Sequence, residues 1–256
     1  MKSEEEAGRV VHGDCLEAMR DIPSESIDAI IQDPPYSTSA CKWDWNIMTK
    51  IDEFWAEWKR IIKPNGAIVM TASQPFTSKL VMSNLKMFKY EWIWEKNKAT
   101  QFLDAKRKPL KAHEDIIVFC NKSTIYNPQN TIKKKAPTVN KGSRGKKERG
   151  ACGEVYGVAT KDAIQEYSNY PRTVVRFGVV MKPLHPTQKP VALWEYLVKT
   201  YTNEGDTIFD GFAGSCTTAI ACINTKRNYI CIELDEKYYN IGLKRIAEHT
   251  AQKTIL

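Results

Sequence analysis

Short apolar runs that alternate with amphipathic segments constrain the fold of this chain more than any other feature of its sequence. Short runs rich in apolar residues predict strands at 10–11, 27–31, 67–70, 91–94, 115–119, 207–210 and 229–232. Apolar residues at helical spacing predict helices over 51–62, from Pro190 onward, over 215–223 and over 235–249. Pro and Gly at 63–66 are expected to stop the first of these helices. Such alternation is typical of an α/β protein with a largely parallel sheet.

The length and the loss of periodicity in the middle indicate one domain that carries an insertion. The chain has 256 residues, enough for one large domain or one domain with an insertion. From about 121 to 170 the periodicity fades, and Gly, Lys, Asn and Ser dominate. We therefore expect two halves of one core, 1–120 and 173–256, separated by an insertion at 121–172. No apolar run approaches the ~20 residues that cross a bilayer, so no membrane association is expected.

The positive charge of the chain is concentrated in one stretch. The chain has 38 basic and 30 acidic residues, a formal net charge of +8. Residues 86–149 hold 17 basic and 6 acidic residues of these totals. The stretch is either a solvated face or a surface that binds a polyanion such as nucleic acid. Its densest cations are Lys133, Lys134, Lys135, Lys141, Arg144, Lys146, Lys147 and Arg149.

The cysteine pattern favours reduced thiols over a disulfide or zinc framework. The seven cysteines include no CxxC pair and do not follow metal-ligand spacing. We therefore expect a cytoplasmic protein without a metal.

The first loop of interest, Asp33-Pro34-Pro35-Tyr36, directly follows an apolar strand. Each proline fixes its own φ and disfavours helix at the preceding residue, so the chain leaves the sheet extended. A carboxylate, backbone carbonyls and an aromatic ring are presented at the carboxyl end of a strand, where open α/β sheets bind ligands. A plain Pro-Pro turn with a surface Asp is the alternative.

The second loop, residues 210–215, joins a strand to a helix and contains two glycines. Glycine allows a bound group to approach the backbone N–H groups at a helix N-terminus. Glu233 ends the next strand, at a spacing that suits an acid bound to ribose hydroxyls. The chain has neither GxGxxG nor GxxxxGK[ST], which disfavours NAD and nucleoside triphosphates.

Further motifs accompany these two loops along most of the chain. In chain order the set is His12 to Met19, Asp33 to Tyr36, Ile61 to Gly66, Trp92 to Lys96, Ala112 to Val118, Tyr170 to Val174, His185 to Pro190 and Phe212 to Ser215. With this set the sequence resembles the β-class of exocyclic-amino DNA methyltransferases, which act on adenine N6 or cytosine N4 and use S-adenosylmethionine. The resemblance covers most of the chain outside 121–170. Gly211 stands where the family usually has Pro, and Cys216 where it usually has Gly.

The resemblance implies a Rossmann-like, mostly parallel seven-stranded sheet in circularly permuted order, with a basic target-recognition insertion. It also implies that Asp33 and the Pro34 carbonyl accept the two N–H groups of a flipped target base, and that Tyr36 stacks on that base. Pro35 completes this catalytic loop. The residues that it implies for the cofactor are Asp14, Cys15, Thr187, Gln188, Lys189, Asp210, Phe212, Ala213, Gly214, Ser215 and Glu233.

The functional hypothesis is methyl transfer from S-adenosylmethionine to N6 of adenine in double-stranded DNA. Asp at the first position of the catalytic loop favours adenine, since cytosine-N4 enzymes more often carry Ser there. The alternatives are a cytosine-N4 enzyme, an enzyme acting on RNA or a protein amide, and a DNA-binding protein with a decayed site. Gly211 and Cys216 motivate the last of these. A homodimer, a restriction-modification partner and a solitary or phage-type enzyme all stay open.

Overall fold

The computed structural model describes residues 8–37, 46–140 and 162–254. The chain divides into two compact units. The first combines Met1–Asn127 with Thr173–Leu256, and the second is Pro128–Arg172. The second unit therefore begins at Pro128, and not at residue 121 as the sequence predicts for the insertion.

The strands of the described ranges form one large and one small sheet. The large sheet has eight strands in the order β1-β10-β9-β2-β3-β5-β4-β8, and the small sheet pairs β6 with β7. In chain order the strands are β1 (Gly8–His12), β2 (Ile27–Gln32), β3 (Ile62–Ala72), β4 (Phe88–Thr100), β5 (Lys111–Phe119), β6 (Ile132–Asn140), β7 (Ala163–Ser168), β8 (Val174–Phe177), β9 (Thr207–Asp210) and β10 (Asn228–Glu233).

Helices cover both faces of the large sheet. One buried cluster joins the sheet to α1, α2 and α3, and a second joins it to α4 and α5. None of the helices within the described ranges is long and apolar enough to cross a membrane. The helices are α1 (Cys15–Arg20), α2 (Ile51–Ile61), α3 (Phe76–Ser83), α4 (Val191–Tyr201), α5 (Thr217–Thr225) and α6 (Glu236–Thr254), with short 3₁₀ turns at Ile47–Lys50 and Phe102–Asp104.

The predicted mostly parallel α/β sheet is confirmed, with corrections. The described sheet has eight strands rather than seven, because β8 pairs in parallel with β4 at its edge. The predicted end of the helix is confirmed, because α2 ends at Ile61, but β3 begins at Ile62 rather than at 67, and its pairing with β2 shifts register across 63–66. A bulge absorbs the Pro and Gly without ending the strand.

The strand order reverses between β2 and β9, and this fixes where ligands can bind. The two strands are parallel neighbours, with Ala29 opposite Ile208 and Ile30 opposite Phe209. Asp33 follows β2 and Asp210 ends β9, so both acids lie at the same edge of the sheet. The carboxyl ends of strands at such a reversal are where open α/β sheets bind ligands.

The second unit contains the antiparallel pair of β6 and β7. The sequence shows no strand periodicity here, because most described side chains of both strands are exposed and need no alternation of apolar residues.

Candidate active site

A cavity of about 870 Å³ lies at the carboxyl ends of the central strands of the first unit. Its walls include the loops that follow β1, β2, β9 and β10, together with the segment before α4. Every residue predicted for catalysis or cofactor binding lines this one cavity. These residues are Asp14, Cys15, Asp33, Pro34, Pro35, Tyr36, Thr187, Gln188, Lys189, Asp210, Phe212, Ala213, Gly214, Ser215 and Glu233.

Three neighbours fix the carboxylate of Asp33. Its Oδ1 accepts hydrogen bonds from the hydroxyls of Tyr36, at 2.7 Å, and Thr71. Its Oδ2 accepts from Nζ of Lys189 at 2.5 Å. An ionised carboxylate offers about four acceptor positions. Among the contacts of the described residues, one position on Oδ2 is therefore left, and it is the one a substrate N–H can use.

Lys189 belongs to a buried chain of alternating charges. Its Nζ lies 2.5 Å from Asp33 Oδ2 and 3.4 Å from Oε2 of Glu114, and Oε1 of Glu114 lies 2.5 Å from Nζ of Lys96. The resemblance assigned Lys189 to the cofactor, but its ammonium contacts the catalytic-loop acid. Glu114 and Lys96 also line the cavity, and sequence reasoning missed both.

The opposite charges of these side chains stabilise one another and offset the cost of burying Lys189 and Glu114. Burial alone would lower the pKa of Lys189, but Asp33 and Glu114 outweigh it and hold that pKa above its usual value. Burial alone would raise the pKa of Glu114, but Lys189 and Lys96 hold it below its usual value. Both groups therefore stay charged near neutral pH.

Tyr36 holds a protonated hydroxyl beside Asp33. Burial and the nearby Asp33 carboxylate raise the pKa of Tyr36 well above its usual value, so its hydroxyl remains a donor. Its ring stacks on Phe76 with a centroid distance of 5.1 Å. Because Phe76 covers one face of the ring, a base could stack only on the other face.

Asp210 is buried where β9 meets the second loop. Its Oδ1 accepts the N–H of Phe212 at 2.9 Å, and its Oδ2 accepts the hydroxyl of Thr218. Burial raises the pKa of Asp210 to about 7, and the two hydrogen bonds offset only part of that effect. Asp210 is therefore poised to gain or lose a proton near neutral pH.

Glu233 ties the second loop to the end of β10. One carboxylate oxygen accepts the N–H of Gly214 at 2.6 Å, and the other accepts the N–H of Asp235 at 2.9 Å. Burial raises the pKa of Glu233 above its usual value. With about four acceptor positions in all, the carboxylate keeps a further one, as a carboxylate that binds ribose hydroxyls would need.

Asp14 and Cys15 open α1 at the cavity wall. Oδ1 of Asp14 caps the helix by accepting the N–H groups of Leu16, at 2.8 Å, and Glu17, at 3.1 Å. Burial, and then nearby carboxylates, raise the pKa of Cys15 well above its usual value, so it is a neutral thiol. Sequence reasoning did not predict this short helix.

The segment before α4 is ordered by its own side chains. Nδ1 of His185 lies 3.3 Å from the backbone nitrogen of Thr187, and the carbonyl of His185 accepts the N–H of Gln188 at 2.9 Å. The His185 ring also packs edge-to-face on Tyr238 of α6, 4.2 Å between centroids. This packing places 187–189 along the cavity.

The two departures from the family pattern leave the cavity open. The N–H of Gly211 donates to Oε1 of Gln32 at 3.3 Å, a bond that proline could not make. A Cβ at Gly211 would lie 2.3 Å from Sγ of Cys15, so the position needs glycine. Cys216 is fully buried beside Gly242 of α6 and does not line the cavity.

The predicted DNA-binding cations divide between described and undescribed residues. Lys133, Lys134 and Lys135 lie on β6 of the second unit, where Lys133 and Lys135 are exposed and Lys134 is partly exposed. Lys141, Arg144, Lys146, Lys147 and Arg149 lie outside the described residues. No group of three or more potential metal ligands occurs within the described part of the chain.

Comparison with known proteins decides the family. A family model described as DNA methylase, the N6/N4 type, matches residues 27–244. The chain belongs to this family. It is therefore an exocyclic-amino DNA methyltransferase that depends on S-adenosylmethionine, and it is an enzyme.

The relatives of this DNA methylase include a DNA adenine methyltransferase and a type II methyltransferase. The DNA adenine methyltransferase YhdJ of Escherichia coli K12 is 27% identical over 261 residues, which cover 94% of this chain and 83% of YhdJ. The type II methyltransferase M.HpaI of Haemophilus parainfluenzae is 28% identical over 252 residues, which cover 93% of this chain and 74% of M.HpaI.

Solved structures resemble the methylase over almost its whole length. The complex of M1.HpyAVI with S-adenosylmethionine matches with a TM-score of 0.61 and 26% identity, covering 93% of this chain and 98% of the other. The cytosine-N4-specific PvuII DNA methyltransferase matches with a TM-score of 0.65 and 14% identity, covering 96% and 92%. At that identity the second likeness shows the fold alone.

Proposed function

We propose that this methylase transfers a methyl group to N6 of adenine in double-stranded DNA, at a specific sequence. The observation that carries the proposal is the Asp33 carboxylate, which pairs with Lys189 at 2.5 Å and retains an acceptor position on Oδ2 in the described contacts. Its place beside the second loop, in one cavity, supports a reaction between a base amine and a cofactor methyl. The adenine-specific name of YhdJ favours adenine over cytosine.

In this mechanism Asp33 and Pro34 position the target amine. Its lone pair is delocalised into the ring, which makes it a weak nucleophile. Oδ2 of Asp33 and the Pro34 carbonyl accept its two N–H groups, favour a pyramidal nitrogen and stabilise the positive charge that develops there. As the N–C bond forms and the S–C bond of the sulfonium breaks, the surplus amine proton passes through Asp33 to water.

The cofactor occupies the other side of the cavity. S-adenosylmethionine supplies an electrophilic methyl group on a sulfonium. We assign its methionine end to Asp210, residues 212–215 and the 187–189 segment. Its ribose falls to Glu233 and its adenine to Asp14 and Cys15. The support is that all these residues line one continuous cavity that also contains Asp33.

The base specificity is tested on the nucleosides of methylated DNA. The protein is incubated with S-adenosylmethionine and plasmid from a host without DNA methylation, and the plasmid is digested and analysed by mass spectrometry. We expect N6-methyladenine, and modified-base sequencing then gives the target motif. N4-methylcytosine without N6-methyladenine would reverse the assignment. Neither product, with normal DNA affinity and no heat of cofactor binding in calorimetry, would favour the non-enzymatic alternative.

The second unit is assigned to DNA backbone binding by Lys133, Lys134 and Lys135. Each cation that neutralises a phosphate releases a counterion, so affinity falls as salt rises. Replacing the three lysines with Gln is expected to weaken DNA binding and to flatten the plot of log affinity against log salt by up to about three units of slope. An unchanged slope returns these lysines to a solvated face.

A further inference from the structure

The tip of the β4–β5 hairpin begins at the wall of the active-site cavity. Thr100 of β4 pairs with Lys111 of β5, and both line the cavity. Gln101 continues the wall in a left-handed conformation with φ of 66°, which turns the chain away from the strand direction. Residues 102–110 therefore project from the rim of the site.

This tip presents two large apolar side chains to solvent on an ordered turn. Phe102 is 78% exposed and Leu103 is 100% exposed. The backbone beneath them is held by hydrogen bonds from Asp104 N–H to the Gln101 carbonyl, at 3.0 Å, and from Ala105 N–H to the Phe102 carbonyl, at 3.1 Å. Single exposed apolar residues are common on protein surfaces, but two adjacent ones on a fixed turn beside an active site call for a partner.

The charge around the tip indicates what that partner is. Lys106, Arg107 and Lys108 lie three to five residues after Leu103 on the same tip, and Lys98 and Lys111 lie on the cavity wall at its base. Asp104 is the single acid of the tip and pairs with Lys108 at 3.2 Å. An apolar pair surrounded by cations fits a polyanion with an apolar interior, which describes stacked DNA.

We propose that Phe102 and Leu103 form a wedge that enters the duplex at the target base pair and stabilises the gap left by the extruded base. The proposal rests on the proposed function and adds the residues that drive extrusion. A base buried in a duplex must leave the stack before its amine reaches Asp33. Apolar side chains inserted at a base step offset part of the cost of unstacking.

If Phe102 and Leu103 act as a wedge, removing them should slow methylation only where extrusion of the target base costs free energy. The test compares the wild type with the Phe102→Ala/Leu103→Ala double variant in single-turnover methylation. The probe is a synthetic duplex carrying the motif found by sequencing, either fully paired or with an abasic site opposite the target adenine. Met82→Ala/Leu85→Ala is the matched control, since these residues are 67% and 55% exposed and do not line the cavity.

We expect the double variant to lose about tenfold or more in rate on the paired duplex and less than about twofold on the abasic duplex. The control variant keeps its rate on both duplexes. Equal losses on the two duplexes, or no loss on either, would overturn the wedge. Failure of the wild type to methylate the plasmid DNA used above overturns the proposed function instead, so the two failures are distinguishable.

Discussion

Two acid-bearing loops face the same cavity, and they differ in what balances their acids. In the first loop Asp33 is matched by a buried cation, Lys189, at 2.5 Å. In the second loop and at the adjoining end of β10, the described hydrogen bonds to the acids Asp210 and Glu233 come only from backbone N–H groups and one threonine hydroxyl. Burial accordingly raises the pKa of both acids, that of Asp210 to about 7.

The difference corresponds to the charges of the two ligands that the family requires. A target base is neutral, so the acid that binds it is stable only if the protein supplies its own counter-charge. S-adenosylmethionine carries a sulfonium and an ammonium, so acids on its side of the cavity can acquire their cations from the ligand. Under the proposed function, the first loop has its counter-charge before any ligand binds, and the acids of the second would gain theirs from the cofactor.

Of the changes considered, removing the acid of the first loop, Asp33, is expected to reduce methyl transfer the most. Asp33→Asn takes away the ionised acceptor for the amine, and we expect methyl transfer to fall by about 10²–10³-fold. The affinity for S-adenosylmethionine should change little, because the second loop is intact. Single-turnover methylation and calorimetry measure the two quantities separately.

The result that contradicts this prediction is a variant that still methylates DNA at the wild-type rate. Thr71→Val is a matched control, because it removes one hydrogen bond to Asp33 and leaves the charge in place. It should lose much less activity than Asp33→Asn.

Replacing Glu114, which pairs with Lys189, is expected to reduce activity less than replacing Asp33. Glu114→Gln keeps the shape of the side chain but leaves Lys189 and Lys96 without their shared carboxylate. We expect kcat to fall about tenfold, because Lys189 then orients Asp33 less firmly, and the KM for the cofactor to stay constant. A variant in which only the cofactor KM rises would place Glu114 on the cofactor side instead.

Asp210, in the second loop, is expected to make both the stability of the protein and its affinity for the cofactor depend on pH. The pKa of Asp210 is about 7 in the folded protein against an ordinary value of 3.8, so the folded state binds the proton more tightly. Its contribution to the free energy of unfolding is full below pH 4 and is lost as pH rises toward 7. Binding of a cationic cofactor favours the ionised form, so affinity should increase severalfold between pH 6 and 8.

Asp210→Asn is the control for this pH dependence, because the cofactor's own amino group also titrates near this range. Calorimetry at several pH values should show a steeper rise in affinity for the wild type than for Asp210→Asn. Parallel curves would mean that Asp210 does not change its protonation on binding.

The sequence was sufficient to predict both loops, but it could not show which charges meet. Asp33 and Asp210 were assigned from strand-loop motifs, and their place in one cavity follows from the neighbouring β2 and β9. The contact of Lys189 with Asp33 was not predicted, because it spans 156 residues and leaves no local pattern.

Glu114 was missed for a related reason. It directly precedes the buried run of β5, and β5 is antiparallel to β3, so the early residues of β5 lie at the carboxyl edge of the parallel strands. A polar residue at the start of a strand is ordinarily assigned to a turn. The sequence gives strand positions but not strand directions, and direction decides that Glu114 faces the site.

Changes at Cys216, which directly follows the second loop, are expected to affect the stability of the protein more than the site, and to affect the site least of all the changes considered. Its backbone is left-handed with φ of 58°, and a Cβ at Gly242 would lie 2.4 Å from its Sγ. Gly242→Ala should therefore lower the free energy of unfolding by about 1–3 kcal/mol through overpacking, and adding Cys216→Ala should recover part of that loss. Chemical denaturation of the single and double variants measures this coupling, and strictly additive losses would contradict it.

Because Cys216 does not line the cavity, Cys216→Ala alone should leave cofactor affinity within about twofold of wild type.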